Sequence, residues 1–237
     1  MGRYNFDKIV DRKHTKSLKY DFAVQRGKPA DVLPFWVADM DFEIPSELKQ
    51  VLLDRVNHGI FGYTESDDAY FNVLKEWFAS RFNWNIDKKW LVKTPGVVFA
   101  LAMAVRAFTK EGEGVLINQP VYYPFSMVID DNDRNLINVP LIQGADTYII
   151  DFEGVERAIV EHNITLFLLC NPHNPVGRVW TEDELKRLGD ICIKHNVIII
   201  SDEIHADFVW DGHKHTVFAD LGESYAEHCI VCTAPSK

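Results

Sequence analysis

Three apolar runs in this chain each give way at once to residues that could do chemistry. I-T-L-F-L-L-C (164–170) leads into N-P-H-N-P-V-G, which holds Asn174. V-I-I-I-S (197–201) leads into Asp202, and C-I-V-C-T (229–233) leads into A-P-S-K, which ends in Lys237. Apolar runs of this length, unbroken by polar alternation, predict strands covered on both faces. Amphipathic stretches lie between them, and that alternation predicts a mostly parallel sheet. Ligands of such sheets bind outside the carboxyl ends of the strands. An amide, a carboxylate and an amine therefore share one edge of the predicted sheet.

That set matches what pyridoxal phosphate requires. Its aldehyde needs a lysine amine, supplied by Lys237. Its ring nitrogen needs a carboxylate to stay protonated while the ring accepts electrons, supplied by Asp202. Its phenolic oxygen suits an amide donor, Asn174. Its phosphate suits free N–H groups at a helix amino terminus, and Val97 and Val98 follow Thr94-Pro95-Gly96 at the start of an apolar helix. Its ring face suits an aromatic side chain, and Tyr122 and Tyr123 follow the V-L-I-N strand.

The elements that must position these residues are legible in the pattern. Helices are predicted over 46–58, over 67–82, from Val97 for about three turns, over 153–162, and from a Thr181/Glu184 capping box to about His195. Strands are predicted at V-L-I-N, 136–141, 164–170, 197–201 and 229–233. Residues 1–45 are irregular and first basic, then apolar (L-P-F-W-V-A-D-M-D-F). They read as an amino-terminal arm, and 46–237 as a large cofactor-binding domain. The chain has 237 residues, is 47% hydrophobic and 25% charged, and carries a net charge of −10. That balance excludes a disordered chain and gives no general attraction to nucleic acid or an anionic membrane. No apolar run is long enough to span a bilayer. The polar amino terminus is unlike a secretory signal. With four cysteines there is no disulfide scaffold, and a cytoplasmic location is expected. No metal site is expected either. Cys229 and Cys232 would fall on opposite faces of a strand. His213 and His215, with Asp211 and Asp220, lie in a turn-rich stretch read as a surface loop.

Taken one at a time these residues have ordinary explanations: a strand-end Asp as a helix cap, Asn beside Pro as a turn former, Tyr as a core aromatic, Lys as a solvated charge. Their order along the chain points elsewhere. W-V-A-D-M-D-F (36–42), G-Y-T (62–64), T-P-G-V-V (94–98), P-V-Y-Y-P-F (120–125), N-P-H-N-P-V-G-R-V-W (171–180), S-D-E-I-H-A-D-F (201–208), H-T-V-F (215–218) and T-A-P-S-K (233–237) occur in sequence. The series resembles the fold-type I, aminotransferase-like pyridoxal phosphate enzymes, and within them most closely the cystathionine β-lyase/cystalysin group of C–S lyases. The resemblance implies an α/β fold, a three-layer αβα large domain with a mostly parallel sheet plus the arm, whose carboxyl-terminal small domain is absent from this sequence. It implies that Lys237 binds the cofactor aldehyde and then moves the Cα proton, and that Asp202 pairs with the ring nitrogen. It has Asn174 bond the phenolic oxygen, Tyr123 stack on the ring, and Val97 and Val98 hold the phosphate through their N–H groups. Tyr63 would reach the phosphate of a neighbouring subunit, making the active unit a homodimer. Ala38 would approach the substrate carboxylate, and the arm would contribute to the small domain and the dimer. Two positions depart from the commoner aminotransferase pattern: His205 stands where a Tyr serves the phenolic oxygen, and Ala234 where a Ser serves the phosphate, leaving Thr233 or Ser236 to substitute.

The activity so implied is α,β-elimination of cystathionine, cysteine or a cysteine S-conjugate to pyruvate, ammonia and a thiol. An aminotransferase of the same fold shares every one of these cofactor residues. A cofactor-binding regulator acting by protein contact is the reading from another class, although the short arm leaves no room for a helix-turn-helix module. A chain stopping at the cofactor lysine reads as the front part of a larger dimeric enzyme, neither stably folded nor active by itself.

Overall fold

The structure is a computed structural model that describes residues 4–237; the first three residues of the polar amino-terminal stretch lie outside it. The chain divides into two compact units, one taking residues through Asp67 together with Lys237, the other Asp68–Ser236. In the first unit a 3-10 turn at Val24–Arg26 precedes helix α1 (Ser46–His58), which ends on Gly59 at φ 75°. That left-handed residue closes the helix at little steric penalty because glycine has no Cβ.

The second unit begins with α2 (Asp68–Phe82), a 3-10 turn at Lys88–Trp90 and α3 (Val97–Phe108). Then come β1 (Gly114–Ile117), α4 (Pro124–Asp130), β2 (Asn135–Asn138), the short strands β3 (Ile142–Gln143) and β4 (Tyr148–Ile149), and α5 (Phe152–His162). It continues with β5 (Leu166–Cys170), α6 (Glu182–Lys194), β6 (Ile198–Asp202), a 3-10 turn at Phe218–Leu221, α7 (Glu223–Ala226) and β7 (Cys229–Cys232). Five strands form one sheet in the order β2-β1-β5-β6-β7, all neighbours parallel. β3 and β4 pair separately and antiparallel. The fold is thus an α/β, mostly parallel, three-layer arrangement.

Alternation along the strands divides the core in two. Leu166, Leu168 and Cys170 of β5, Ile200 of β6 and Cys232 of β7 join Val97, Leu101, Ala104 and Val105 of α3, and Phe125, Val128 and Ile129 of α4, on one side of the sheet. Phe167, Leu169 and Ile199 join Val155 and Ile159 of α5, and Leu185, Leu188 and Cys192 of α6, on the other. The helical residues recur every three to four positions, which is the spacing of a single buried face. Cys229 packs in the α5/α6 layer and Cys232 in the α3/α4 layer, so period 2 separates the two thiols as the sequence predicts.

Thr181 and Glu184 form the predicted capping box, with Glu184 N–H donating to Thr181 Oγ1 at 3.2 Å and Thr181 N–H to Glu184 Oε2 at 2.8 Å. The strand predicted over 136–141 stops at Asn138. Beyond it Val139 N–H and Leu141 N–H still donate to Ile117 O and Gln119 O, but the regular ladder ends because the Asn138 side chain accepts from Gln119 N–H at 3.0 Å and the Asn118 side chain donates to Val139 O at 2.8 Å; the chain then turns into the β3–β4 hairpin, closed by Gly144 N–H donating to Thr147 O at 2.8 Å. Where α6 meets α7, a Cβ on Gly189 would lie 2.6 and 2.7 Å from two ring carbons of Tyr225 and 3.2 Å from Phe218 Cζ. Gly189→Ala should therefore destabilise the second unit by about 1–3 kcal/mol through overpacking, against alanine's better helix propensity. A chemical-denaturation midpoint above the parent value would contradict this.

Candidate functional site

The order β2-β1-β5-β6-β7 reverses direction between β1 and β5: the chain leaves β1 outward to β2, then returns to the other side of β1 and continues outward through β6 and β7. The crevice at the carboxyl ends of the strands beside such a switch point is where open α/β sheets bind ligands. Cys170, Asp202 and Cys232 stand in register as the last residues of β5, β6 and β7. Asp202 continues the alternation of Ile198 and Ile200, so it lies on the α3/α4 side, 5% exposed. Its Oδ1 accepts from Ile204 N–H at 3.1 Å. Its carbonyl accepts from Asn171 N–H at 2.9 Å. This fixes the β6 terminus against the loop that leaves β5.

Asn174 belongs to that loop and is half-buried; its N–H donates to Cys170 Sγ at 3.3 Å, which holds it over the end of β5. Burial, and then the charge of Asp202, push the Cys170 thiol up, and burial pushes Cys232 up to about 12, so both thiols stay neutral beneath the site. Val97 is buried and begins α3, whose cap, Gly96, offers no side-chain bond to the first-turn N–H groups of Val97 and Val98. An uncapped helix start of this kind can bind an anion through its free N–H groups and dipole. Tyr123 lies 69% exposed past the end of β1, its ring edge-on to Tyr122 at 5.3 Å. Burial raises the Tyr122 phenol, with Tyr123 and Asp202 adding to it.

The structure thus brings Asn174 and Asp202 to one sheet edge beside the α3 layer. Ala38, Tyr63 and Lys237 belong to the first unit. Tyr63 is fully exposed, and Ala38 and Lys237 are exposed. The stretch holding Ala38 is braced within that unit: Arg12 bonds Asp39 and Asp41, Lys19 Nζ reaches Asp41 Oδ2 at 2.7 Å and Asp39 O at 3.1 Å, and Tyr20 donates to Asp41 Oδ1 at 3.1 Å. The Lys19 and Arg12 bonds hold the Asp41 carboxyl down to about 2.

Two buried, hydrogen-bonded histidines escaped residue-by-residue reading. His173 is 3% exposed and its Nε2 lies 2.9 Å from Pro120 O. It therefore donates to that carbonyl and ties the loop after β5 to the loop after β1, on either side of the switch point. Its only sequence signal is its place inside N-P-H-N-P. Burial pushes its pKa down to about 4. Since the folded value lies below the usual 6.5 or so, the stability His173 supplies is complete above about pH 6.5 and is lost as pH falls toward about 4, up to roughly 3 kcal/mol. His173→Gln can keep the bond to Pro120 without titrating. Its unfolding free energy should vary less between pH 6.5 and 4 than that of the parent, and an unchanged pH slope would contradict the assignment. The second is His215. The surface loop expected around it is corrected by the structure: His215 is 3% exposed, with Nε2 2.8 Å from Glu203 Oε2 and its ring edge-on to Phe82. A turn-rich sequence there conceals a buried pair because Val217 and Phe218 that follow are both buried, Phe218 in the α5/α6 layer.

Sheet topology, switch point and uncapped α3 define an open α/β protein with a ligand crevice at the strand ends, and sequence comparison assigns the family. Residues 30–237 match the aminotransferase class I and II family, and the chain belongs to it. It is 43% identical over 233 residues to cystathionine beta-lyase PatB of Bacillus subtilis (strain 168), covering 98% of this chain and 60% of that relative. It is 35% identical to protein MalY of Escherichia coli (strain K12), covering 92% of this chain and 56% of that relative. Among solved structures it matches the pyridoxal 5'-phosphate-containing cystalysin of Treponema denticola with a TM-score of 0.92 and 41% identity, over 98% of this chain and 60% of the other. The pyridoxal phosphate-bound C-S lyase of Staphylococcus hominis matches with a TM-score of 0.90 and 34% identity, over 99% of this chain and 60% of the other. The chain therefore spans about 60% of the length of these proteins.

Proposed function

We propose that this chain carries the cofactor-binding part of a pyridoxal phosphate-dependent C–S β-lyase, acting on cystathionine, cysteine or a cysteine S-conjugate. The observation that carries the reading is a buried carboxylate, Asp202, at a sheet switch point beside the uncapped start of α3, in a chain 43% identical to a cystathionine beta-lyase. The residues fit the cofactor. The N–H groups of Val97 and Val98 suit its phosphate, Asp202 its ring nitrogen, the Asn174 amide its phenolic oxygen, Tyr123 its ring face and Lys237 its aldehyde.

Bound there, the cofactor supplies an aldehyde that condenses with amines and a ring that draws electrons from the bonds at Cα. The chain's own residues do the rest. Asp202 keeps a proton on the ring nitrogen. The Lys237 amine would hold the cofactor's aldehyde and, when free, would take the Cα proton as general base, and loss of that proton would let the thiolate leave from Cβ. Ala38 borders the substrate carboxylate. Tyr63 serves the neighbouring subunit of a homodimer, a role that its complete exposure supports. A cytoplasmic location fits the four free cysteines. Among the described residues no helix is long and apolar enough to cross a membrane.

The test is to reduce the full-length protein, as purified, with borohydride and map the product by peptide mass. The reading expects a visible absorbance band that bleaches on reduction, with the mass of reduced cofactor on the peptide holding Lys237. A cofactor adduct on another lysine, or no band after incubation with pyridoxal phosphate, would contradict it.

A further inference from the structure

On the face of β6 opposite Asp202 lies a second ionisable cluster for which the proposed reaction has no use. Glu203 is 2% exposed and saturated: Oε1 accepts from Ser201 Oγ at 2.8 Å and from Phe218 N–H at 2.9 Å, and Oε2 faces His215 Nε2 at 2.8 Å. His215 Nδ1 is buried with no hydrogen-bond partner among the described residues. Nε2 therefore carries the hydrogen toward Glu203 and Nδ1 keeps its lone pair, since the other tautomer would bury an unpaired N–H and set two acceptors face to face.

A carboxylate is unfavourable in an apolar layer unless its oxygens are satisfied. Here they are satisfied from three places: its own strand, the His215 side chain and the backbone of Phe218. An apolar residue could fill the volume but could not tie those segments together. The backbone completes the frame. Glu203 N–H donates to Cys232 O at 2.8 Å, Asn171 N–H donates to Asp202 O at 2.9 Å, and Asn171 Nδ2 donates to Thr216 O at 3.1 Å. The 215–218 segment is thus held from the ends of both β5 and β6. Ile204 N–H, one residue beyond Glu203, donates to Asp202 Oδ1 at 3.1 Å and so helps to aim that carboxylate. Fixing the Glu203 side chain fixes that peptide.

We propose that Glu203 and His215 are positioning residues: the buried pair locks the 202–204 turn from behind and so aims Asp202 at the cofactor's ring nitrogen. The proposal rests on the reading of Asp202 as the partner of that nitrogen. Fully satisfied buried polar networks rigidify their surroundings, and the satisfied carboxylate is the mark of one here.

The experiment uses the full-length holoenzyme loaded with pyridoxal phosphate carrying 15N in its ring, and reads the ring-nitrogen resonance, the cofactor Kd and the thermal midpoint. His215→Phe should move the resonance from the pyridinium position toward free pyridine and raise Kd about tenfold or more, the scale of one lost charge-assisted hydrogen bond. His215→Gln, which can still donate to Glu203, should restore both. A His215→Phe protein with a lowered thermal midpoint but an unmoved resonance and unchanged Kd overturns the proposal, since that is what a merely structural role gives. If His215→Phe does not fold, Ser201→Ala removes one donor to Glu203 without adding volume. A displaced resonance then supports the proposal, and an unmoved one overturns it. Asp202→Asn separates the two levels. If it leaves the pyridinium resonance in place, the reading of Asp202 falls and the proposal with it. If it moves the resonance while His215→Phe does not, only the positioning role falls.

Discussion

Lys237→Ala in the full-length enzyme is expected to lower the rate of pyruvate formation by about 10³-fold or more and to remove the visible absorbance of the bound cofactor. Two losses combine. A positioned general base contributes typically about 10²–10⁴-fold, and the covalent attachment that splits one difficult step into easier ones goes with the same amine. Cofactor affinity should fall less, because in the proposed reading the phosphate, ring nitrogen and phenolic oxygen would keep the partners assigned to them, Val97, Val98, Asp202 and Asn174. The substitution removes an exposed side chain, so the thermal midpoint of the apoenzyme should stay near the parent value. Rate and absorbance measured together check the assignment. A persistent absorbance band with a nearly normal rate would place the reactive amine elsewhere.

Asp202→Asn should lower the rate by about 10²–10³-fold, the scale on which one preorganised electrostatic partner acts. The amide is nearly the same shape and retains an oxygen to accept from Ile204 N–H, the bond that Asp202 Oδ1 makes at 3.1 Å. The turn after β6 should therefore survive, and what is lost is the negative charge that, in the proposed reading, would keep the ring nitrogen protonated. The expected signature is a large fall in kcat with a small change in thermal midpoint. A rate within a few-fold of the parent would remove Asp202 from the role given to it. Asp202→Ala loses both charge and acceptor and should show the fall in rate together with a measurable loss of stability.

The parts of the fold that were legible in the sequence are those where pattern and packing agree. β5 and β6 are unbroken apolar runs because both faces are covered. α6 is announced by its capping box, and α3 by an apolar run after Gly96. The elements that were not legible are short or depend on contacts distant in sequence. α4 is seven residues opening on Pro124, in a stretch to which the sequence pattern assigns no element. The β3–β4 hairpin has two residues per strand and is buttressed from outside: Arg178 Nη1 donates to Tyr148 O at 2.5 Å while Nη2 reaches both oxygens of Glu184 at 2.7 Å. No window of sequence around residues 142–149 contains that support.

The candidate site divides the same way. Asn174 and Asp202 were legible because strand ends in a parallel sheet share an edge, an argument that needs only strand order and direction. His173, Glu203 and His215 were not, because their roles depend on burial and on partners 53 and 12 residues away. H-T-V-F reads as a polar turn until Phe218 is seen packed in the α5/α6 layer, with Glu203 beneath it. A buried hydrogen-bonded pair leaves no periodic trace, whereas a strand or a helix face does.

The most direct test of the central claim is the product analysis of the full-length holoenzyme supplied with cystathionine and no keto acid. The account predicts pyruvate, ammonia and a free thiol in equal amounts, formed over many turnovers with the cofactor retained in its aldehyde form. Conversion of the cofactor to pyridoxamine phosphate with release of a keto acid that keeps its sulfur, turnover resuming only when a second keto acid is added, would contradict it and make the enzyme an aminotransferase.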